Sequence, residues 1–223
     1  MKIKWGLTLF AFLQIIVSFG ETKTDHLPFL KLIHSTIGAG TKAGTSIPEK
    51  QVIKIEAYGA DIWGKRDEFS FDYKKVRGDF DFSVQVEALS AANAYTKAGI
   101  MARTDLSDSS QHVFFQVFPD NRSRNKNNGG CEFQYRLDNG SDMKAIYPDP
   151  KTAGNQFNVT FPNTWIRLKR SGDIFVSYIS NDNKIWRQYT TFNMKMPLNL
   201  YVGLAVTSHN PAVNTTAVFR NAN

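Results

Sequence analysis

Phe80, Phe82, Val84 and Val86 alternate with Asp81, Ser83, Gln85 and Glu87. A period of two sends successive side chains to opposite faces, so this stretch predicts a strand with one buried face. Phe69, Phe71 and Tyr73 alternate with Glu68, Ser70 and Asp72 in the same way, and Gly78-Asp79 between the two stretches predicts a β-hairpin. Val52 to Tyr58, His112 to Phe118, Glu132 to Leu137, Trp165 to Arg170, Ile174 to Ser180, Ile185 to Tyr189 and Thr215 to Asn221 read as further strands. Lys97 to Arg103 and Tyr201 to Thr207 are built of small and apolar residues, which suits central strands packed closely by neighbours. Asp138-Asn139-Gly140, Ser171-Gly172-Asp173 and Asn181-Asp182-Asn183 are turn signals, and Met143 to Tyr147 pairs across the first of them. No helical period is sustained. Short strands separated by turns every roughly 8–12 residues predict an all-β fold, a two-sheet antiparallel jelly-roll sandwich.

The N-terminus follows a different pattern. Lys2 and Lys4 precede an apolar run from Leu7 to Val17, and Ser18-Phe19-Gly20 puts small residues at the −3 and −1 positions of a cleavage site. Residues 1–20 therefore read as a secretory signal peptide, and a secreted protein is expected, periplasmic if the source is Gram-negative. Residues 21–35 are expected to be a tether or an edge strand, and 36–223 a single domain, with the leader running almost directly into it. The one cysteine, Cys131, allows no internal disulfide, so the fold must rest on its core. The net charge is +7, of which Lys2 and Lys4 carry two, leaving about +5 after cleavage. Arg122, Arg124 and Lys126 form the densest basic cluster, but they sit among asparagines without stacking aromatics. No nucleic-acid partner is expected, and no membrane contact after cleavage. Asn121, Asn139, Asn158 and Asn214 begin Asn-x-Ser/Thr sequons.

Four stretches in order carry a resemblance. They are Gly59-Ala-Asp-Ile-Trp-Gly64, Lys97-Ala-Gly-Ile-Met-Ala-Arg103, Trp165-Ile-Arg-Leu-Lys-Arg-Ser-Gly172 and Gly203-Leu-Ala-Val-Thr-Ser-His-Asn210. Together they resemble the concanavalin A-like jelly-roll domain of unknown function found in secreted bacterial proteins, beside β-xylosidase-like modules or in proteins named as regulators of enolase. The resemblance runs from about Ile37 to Asn221. It implies a sandwich with one concave face that, in the wider superfamily, often binds glycans and in some branches hydrolyses them.

Candidate residues follow, each with two readings. Trp63 is either a platform for the C–H face of a sugar ring or a core plug beside Gly64. Trp165 faces away from Ile166 and Leu168, with Arg167 and Lys169, and so lies on a binding face or on a packed rim. Asp61 accepts sugar hydroxyls, holds Ca²⁺ or caps its own turn; Asp67 and turn carbonyls could add oxygen ligands, but no Asp-rich loop supports a calcium site, and no cofactor is expected. Arg103 either holds a carboxylate or vicinal hydroxyls, or pairs with a buried acid such as Asp61 or Glu132. His209 and Asn210 sit in a loop at a strand end, where function concentrates, and Tyr135 with Arg136 completes the lining. No paired-carboxylate strand motif, Gly-x-Ser-x-Gly elbow or zinc spacing is present, so no catalytic residue is assigned.

The first expectation is a secreted, non-catalytic glycan-binding sandwich whose ligand-binding residues are Asp61, Trp63, Arg103, Tyr135, Trp165, His209 and Asn210. The alternatives are a weak or unusual polysaccharide hydrolase or lyase, and a structural protein-interaction domain. The whole face depends on Asp61 and Arg103 lying side by side.

Overall fold

A computed structural model describes residues 31–119, 130–147 and 164–222 of the chain. The stretch read as a signal peptide, the sequons at Asn121 and Asn158 and the basic cluster fall outside the described residues. The described residues form sixteen strands: β1 (Ile33–Ile37), β2 (Thr45–Pro48), β3 (Val52–Ala57), β4 (Ile62–Trp63), β5 (Arg66–Asp67), β6 (Phe69–Arg77), β7 (Phe80–Leu89), β8 (Lys97–Arg103), β9 (His112–Val117), β10 (Cys131–Arg136), β11 (Lys144–Ile146), β12 (Thr164–Ser171), β13 (Ile174–Ser180), β14 (Arg187–Asn193), β15 (Asn199–Thr207) and β16 (Thr215–Arg220).

They form two seven-stranded antiparallel sheets and one small hairpin. The first sheet runs β1-β6-β15-β8-β9-β10-β11 and the second β14-β13-β12-β7-β16-β3-β2, with β4-β5 apart. The inner faces meet in one core. Ile100, Val113, Phe115, Phe133, Val202 and Leu204 of the first sheet meet Ile53, Ile55, Phe82, Val84, Ile166, Leu168 and Phe219 of the second. Each such side chain taken out of water contributes about 1.5–3 kcal/mol, which is how a chain without a disulfide holds together. Cys131 lies wholly inside this core, and burial pushes its thiol well above the usual range.

Three details differ from the expected pattern. Gly78-Asp79 does not close a hairpin: β6 pairs with β1 and β15, while β7 pairs with β12 and β16, so the chain crosses from one sheet to the other there. Gly78 N–H donates instead to Leu198 O at 2.8 Å. Alternation shows which residues are buried but not which strand lies alongside, and both strands find distant partners. The strand expected from Ile185 begins at Arg187, because the Asp182 carboxylate accepts the N–H groups of Lys184 and Ile185 and prolongs the turn. At the other end, β1 spans residues on both sides of the boundary drawn after residue 35 and forms an edge of the first sheet.

The outer face of the first sheet carries a second apolar cluster. Ile37, Phe69, Phe71, Met101, Phe114 and Ala205 line it, and Ile62 of the β4-β5 hairpin packs onto them. This is why β8 and β9 are buried along their whole length on both sides. The hairpin itself turns through Gly64-Lys65, with Trp63 opposite Arg66. Gly64 has φ 59°, the positive angle that a tight two-residue hairpin with glycine in first place requires.

Candidate functional site

The hairpin divides the outer face of the first sheet into a sealed end and an open cleft. At the sealed end, Asp67 of β5 receives a bidentate pair from Arg136 of β10, at 2.7 and 2.8 Å. Arg136 also donates to Gly64 O and Ser141 O, both at 3.0 Å. Arg103 of β8 lies 3.6 Å from Asp67, donates to Ser107 O, and stacks its guanidinium 5.0 Å from the Phe69 ring. All of these side chains are fully buried, as is His112. Burial, the dominant effect, lowers Arg103 to about 10, which leaves it charged at neutral pH. The same cause lowers His112 to about 4. His112 is therefore neutral, and its Nδ1–H donates to Ser110 O at 2.9 Å, since a carbonyl can only accept.

The neck of the hairpin is held just as firmly. Thr207 Oγ1 donates to Glu68 O at 2.9 Å, and Ser208 Oγ to Gly59 O at 3.3 Å. Gly59 has φ 124°, and a Cβ there would meet Glu68 O at 2.0 Å, so only glycine allows this approach.

The open cleft has a volume of about 240 Å³ and is lined by Asp61, Trp63, Tyr95, Lys97, Phe118, Glu132, Gln134, Tyr147 and His209. Lys97 opens β8 and is almost fully buried; its ammonium donates to Asp61 Oδ1 at 2.6 Å and to Ile62 O at 3.1 Å, and lies 5.5 Å from the centre of the Trp63 ring. The Asp61 carboxylate also takes Ile62 N–H at 2.7 Å and lies 3.3 Å from His209 Nε2. His209 adopts φ 54° and packs its ring 5.2 Å from that of Tyr95. Trp63 leaves 42% of its surface exposed. On the floor, Gln134 Nε2 donates to Glu132 Oε1. Among the described residues, Gln134 Oε1, buried at the floor, meets no partner, and neither do the two amide atoms of Gln116, which pairs in register with Glu132.

Of the residues singled out from sequence, the structure brings Asp61, Trp63 and His209 together. It does not bring Arg103 to them: Arg103 is buried against Asp67, at the opposite end of β8 from Lys97, and the expected pairing with Asp61 or Glu132 is not made. A guanidinium with no exposed surface has no route to a ligand, and with Arg103 and Asp61 at opposite ends of β8 the seven-residue face expected from the sequence does not form. Tyr135 points the other way from Glu132 and Gln134, into the sandwich, where its ring lies 4.2 Å from that of Phe192. Trp165 is buried on the outer face of the second sheet, beside Arg167, across the molecule from the cleft. Asn210 turns its side chain back to cap Ala212 N–H at 2.9 Å. Arg136 is spent at the sealed end. The oxygen set proposed for Ca²⁺ does not assemble either, because Lys97 takes Asp61 while Arg136 takes Asp67. Among the described residues no group of three or more His, Cys, Asp or Glu side chains is gathered as a metal site, and no helix is long and apolar enough to cross a membrane.

Lys97, Glu132, Gln134, Tyr95, Phe118 and Tyr147 were not foreseen. A signal for two of them was present: on β10, Glu132 and Gln134 alternate with Cys131, Phe133 and Tyr135. Placing Cys131 in the core would have turned Glu132 and Gln134 outward and Tyr135 inward.

No protein-family profile matches the chain, and no curated protein sequence does. Solved structures do match. A functionally unknown protein from Saccharomyces cerevisiae superposes with a TM-score of 0.65 at 16% identity, over 88% of this chain and 97% of that one. The carbohydrate-binding module CBM66 from Bacillus subtilis gives 0.53 at 15% identity, over 89% and 96%. A legume lectin-like domain from Entamoeba histolytica gives 0.50 at 8% identity, over 87% and 90%. The strand order, the two packed antiparallel sheets and these likenesses lead to one statement: the protein has the concanavalin A-like jelly-roll fold.

Proposed function

We propose that the protein is an exported glycan-binding sandwich that holds a sugar in the cleft between the β4-β5 hairpin and strands β8 to β10. The observation that carries this reading is the exposed indole of Trp63 on one wall, set against the hydrogen-bonding groups of Glu132, Gln134, Asp61 and His209 on the others. A pyranose offers that combination, an apolar C–H face for stacking and a rim of hydroxyls for the polar groups. The fold shared with a carbohydrate-binding module and a lectin-like domain supports the reading, and the leader-like first 20 residues support export.

Hydrolysis fits less well. Glycosidic cleavage uses two carboxyl groups flanking the bond, and of the two in the cleft Asp61 is already held by Lys97 beside His209.

The test is a glycan array together with pull-downs on insoluble polysaccharides. Binding to at least one glycan is expected, and Trp63→Ala should weaken it by about tenfold or more, the worth of a lost stacking platform. A folded protein that binds nothing in either assay, or a Trp63→Ala variant that binds as well as the wild type, overturns the reading.

A further inference from the structure

The carboxylate of Glu132 is the exceptional group in this cleft. It is 5% exposed, and among the described residues its polar side-chain partner is the Gln134 amide, which is neutral. The fully buried carboxylate of Asp67 has Arg136 as its basic partner, and the partly exposed one of Asp61 has Lys97. Lys97 cannot serve Glu132 as well, because its ammonium is taken by Asp61, by Ile62 O and by the face of Trp63. An isolated charge removed from water is costly unless a counter-charge joins it. In the empty cleft water can solvate Glu132 in part; a ligand that fills the cleft takes that water away.

The neighbouring groups point the same way. Gln134 is 1% exposed, lines the cleft, and finds no donor for Oε1 among the described residues. Its Nε2 is already used on Glu132, so what it still offers is an acceptor. Among the described residues, the lysine of the cleft lining, Lys97, is held by Asp61, and the floor leaves the Gln134 acceptor and the Gln116 amide unpaired, on a chain whose overall charge is +7. The walls, Trp63, Tyr95, Phe118 and Tyr147, are aromatic, and aromatic faces favour a cation placed against them.

We infer that the cleft selects an amine-bearing sugar, with the Glu132 carboxylate as counter-ion to its ammonium group and Gln134 Oε1 as a second acceptor. This rests on the glycan-binding reading and narrows it. A hexosamine supplies a charge, several N–H and O–H donors and an apolar ring face in one molecule. An N-acetylated or neutral hexose brings donors but leaves Glu132 buried without a counter-charge, and a uronic acid adds a second negative charge.

The experiment is an NMR titration of the protein at about pH 6, where such amines, which titrate near the α-amino range of about 8, are protonated. The probes are glucosamine, galactosamine and mannosamine, each with its parent hexose and its N-acetyl derivative, and n-butylammonium as an amine that is not a sugar. At least one hexosamine is expected to bind about 10- to 100-fold tighter than its parent hexose, the gain of a charge-assisted hydrogen bond. Glu132→Gln is expected to bring that ratio to about one. Should that variant fail to fold, the wild type decides: hexosamine binding should fall as pH rises through about 8, while any hexose binding stays level. Parent hexoses that bind as well as their amines, or a preference that survives Glu132→Gln or the rise in pH, overturn the inference and leave the glycan reading standing. Butylammonium binding as tightly as any hexosamine overturns the glycan reading and keeps Glu132 as a cation site. Binding by none of the probes overturns the inference; the array and pull-downs then judge the glycan reading separately.

Discussion

The two ends of the first sheet's outer face use the same strands to different ends. β8 carries Lys97 at one end and Arg103 at the other; β10 carries Glu132 and Arg136. Under the hairpin, Arg103, Arg136 and Asp67 are fully buried, and the two guanidinium groups converge on one carboxylate. In the cleft, Glu132 is nearly as buried, and among the described residues no cation pairs with it. The difference teaches what each end is for. A charge satisfied by its own chain holds the hairpin to the sheet. A charge left unsatisfied next to open space is suited to a ligand.

The comparison breaks or holds first at Asp67. Asp67→Asn removes the carboxylate that neutralises two buried guanidinium groups and should cost about 3–5 kcal/mol in denaturant unfolding. A loss under about 1 kcal/mol would mean that the sealed end does not hold the hairpin, since that is the range of an exposed pair.

The next effect is one of pH. His112 is lowered to about 4 in the folded chain and returns to about 6.5 when unfolded. Between those values the unfolded state binds a proton that the folded state refuses, so stability should decline as pH falls through this window. The decline should be on the order of 3 kcal/mol and should level off below about pH 4. His34 acts in the opposite sense. Its hydrogen bond to Asp72 raises it, so its contribution is complete below about 6.5 and is lost as pH rises through its folded value. Comparing wild type with His112→Gln separates the two; equal pH slopes in both proteins would remove His112 from the account.

The smallest effect has the opposite sign from the first. Glu132→Gln removes a buried carboxylate that lacks a counter-charge, and should leave the unliganded protein as stable as before or more stable by about 1 kcal/mol. A loss as large as that of Asp67→Asn would show that Glu132 is paired within the fold, and the contrast between the two ends would disappear.

Much of the fold was legible along the chain, and the reason is local. Alternation in residues 80–87 follows burial, and turn residues such as Asp138-Asn139-Gly140 carry their own backbone preferences; in residues 69–73 the alternation expected to mark one buried face does not, because Ser70 and Asp72 are buried along with Phe69, Phe71 and Tyr73. The site was legible only in part. Asp61 and Trp63 stood out because a turn between two glycines is a local feature, and His209 because it ends a strand. Tyr135 was misplaced by one step of a two-residue period, which reverses the face to which a side chain belongs.

What the sequence alone determined is an all-β sandwich and most of its strand positions. Which acid meets which base was decided only in three dimensions. Asp67 rather than Asp61 meets Arg103 because the β4-β5 hairpin lies across the sheet, bringing its two acids to different ends of β8. Strand order and the path of a hairpin over a face bring together residues far apart in the chain, such as Lys97 and Asp61 or Asp67 and Arg136. Propensity and periodicity act over a few residues and carry no record of such pairings.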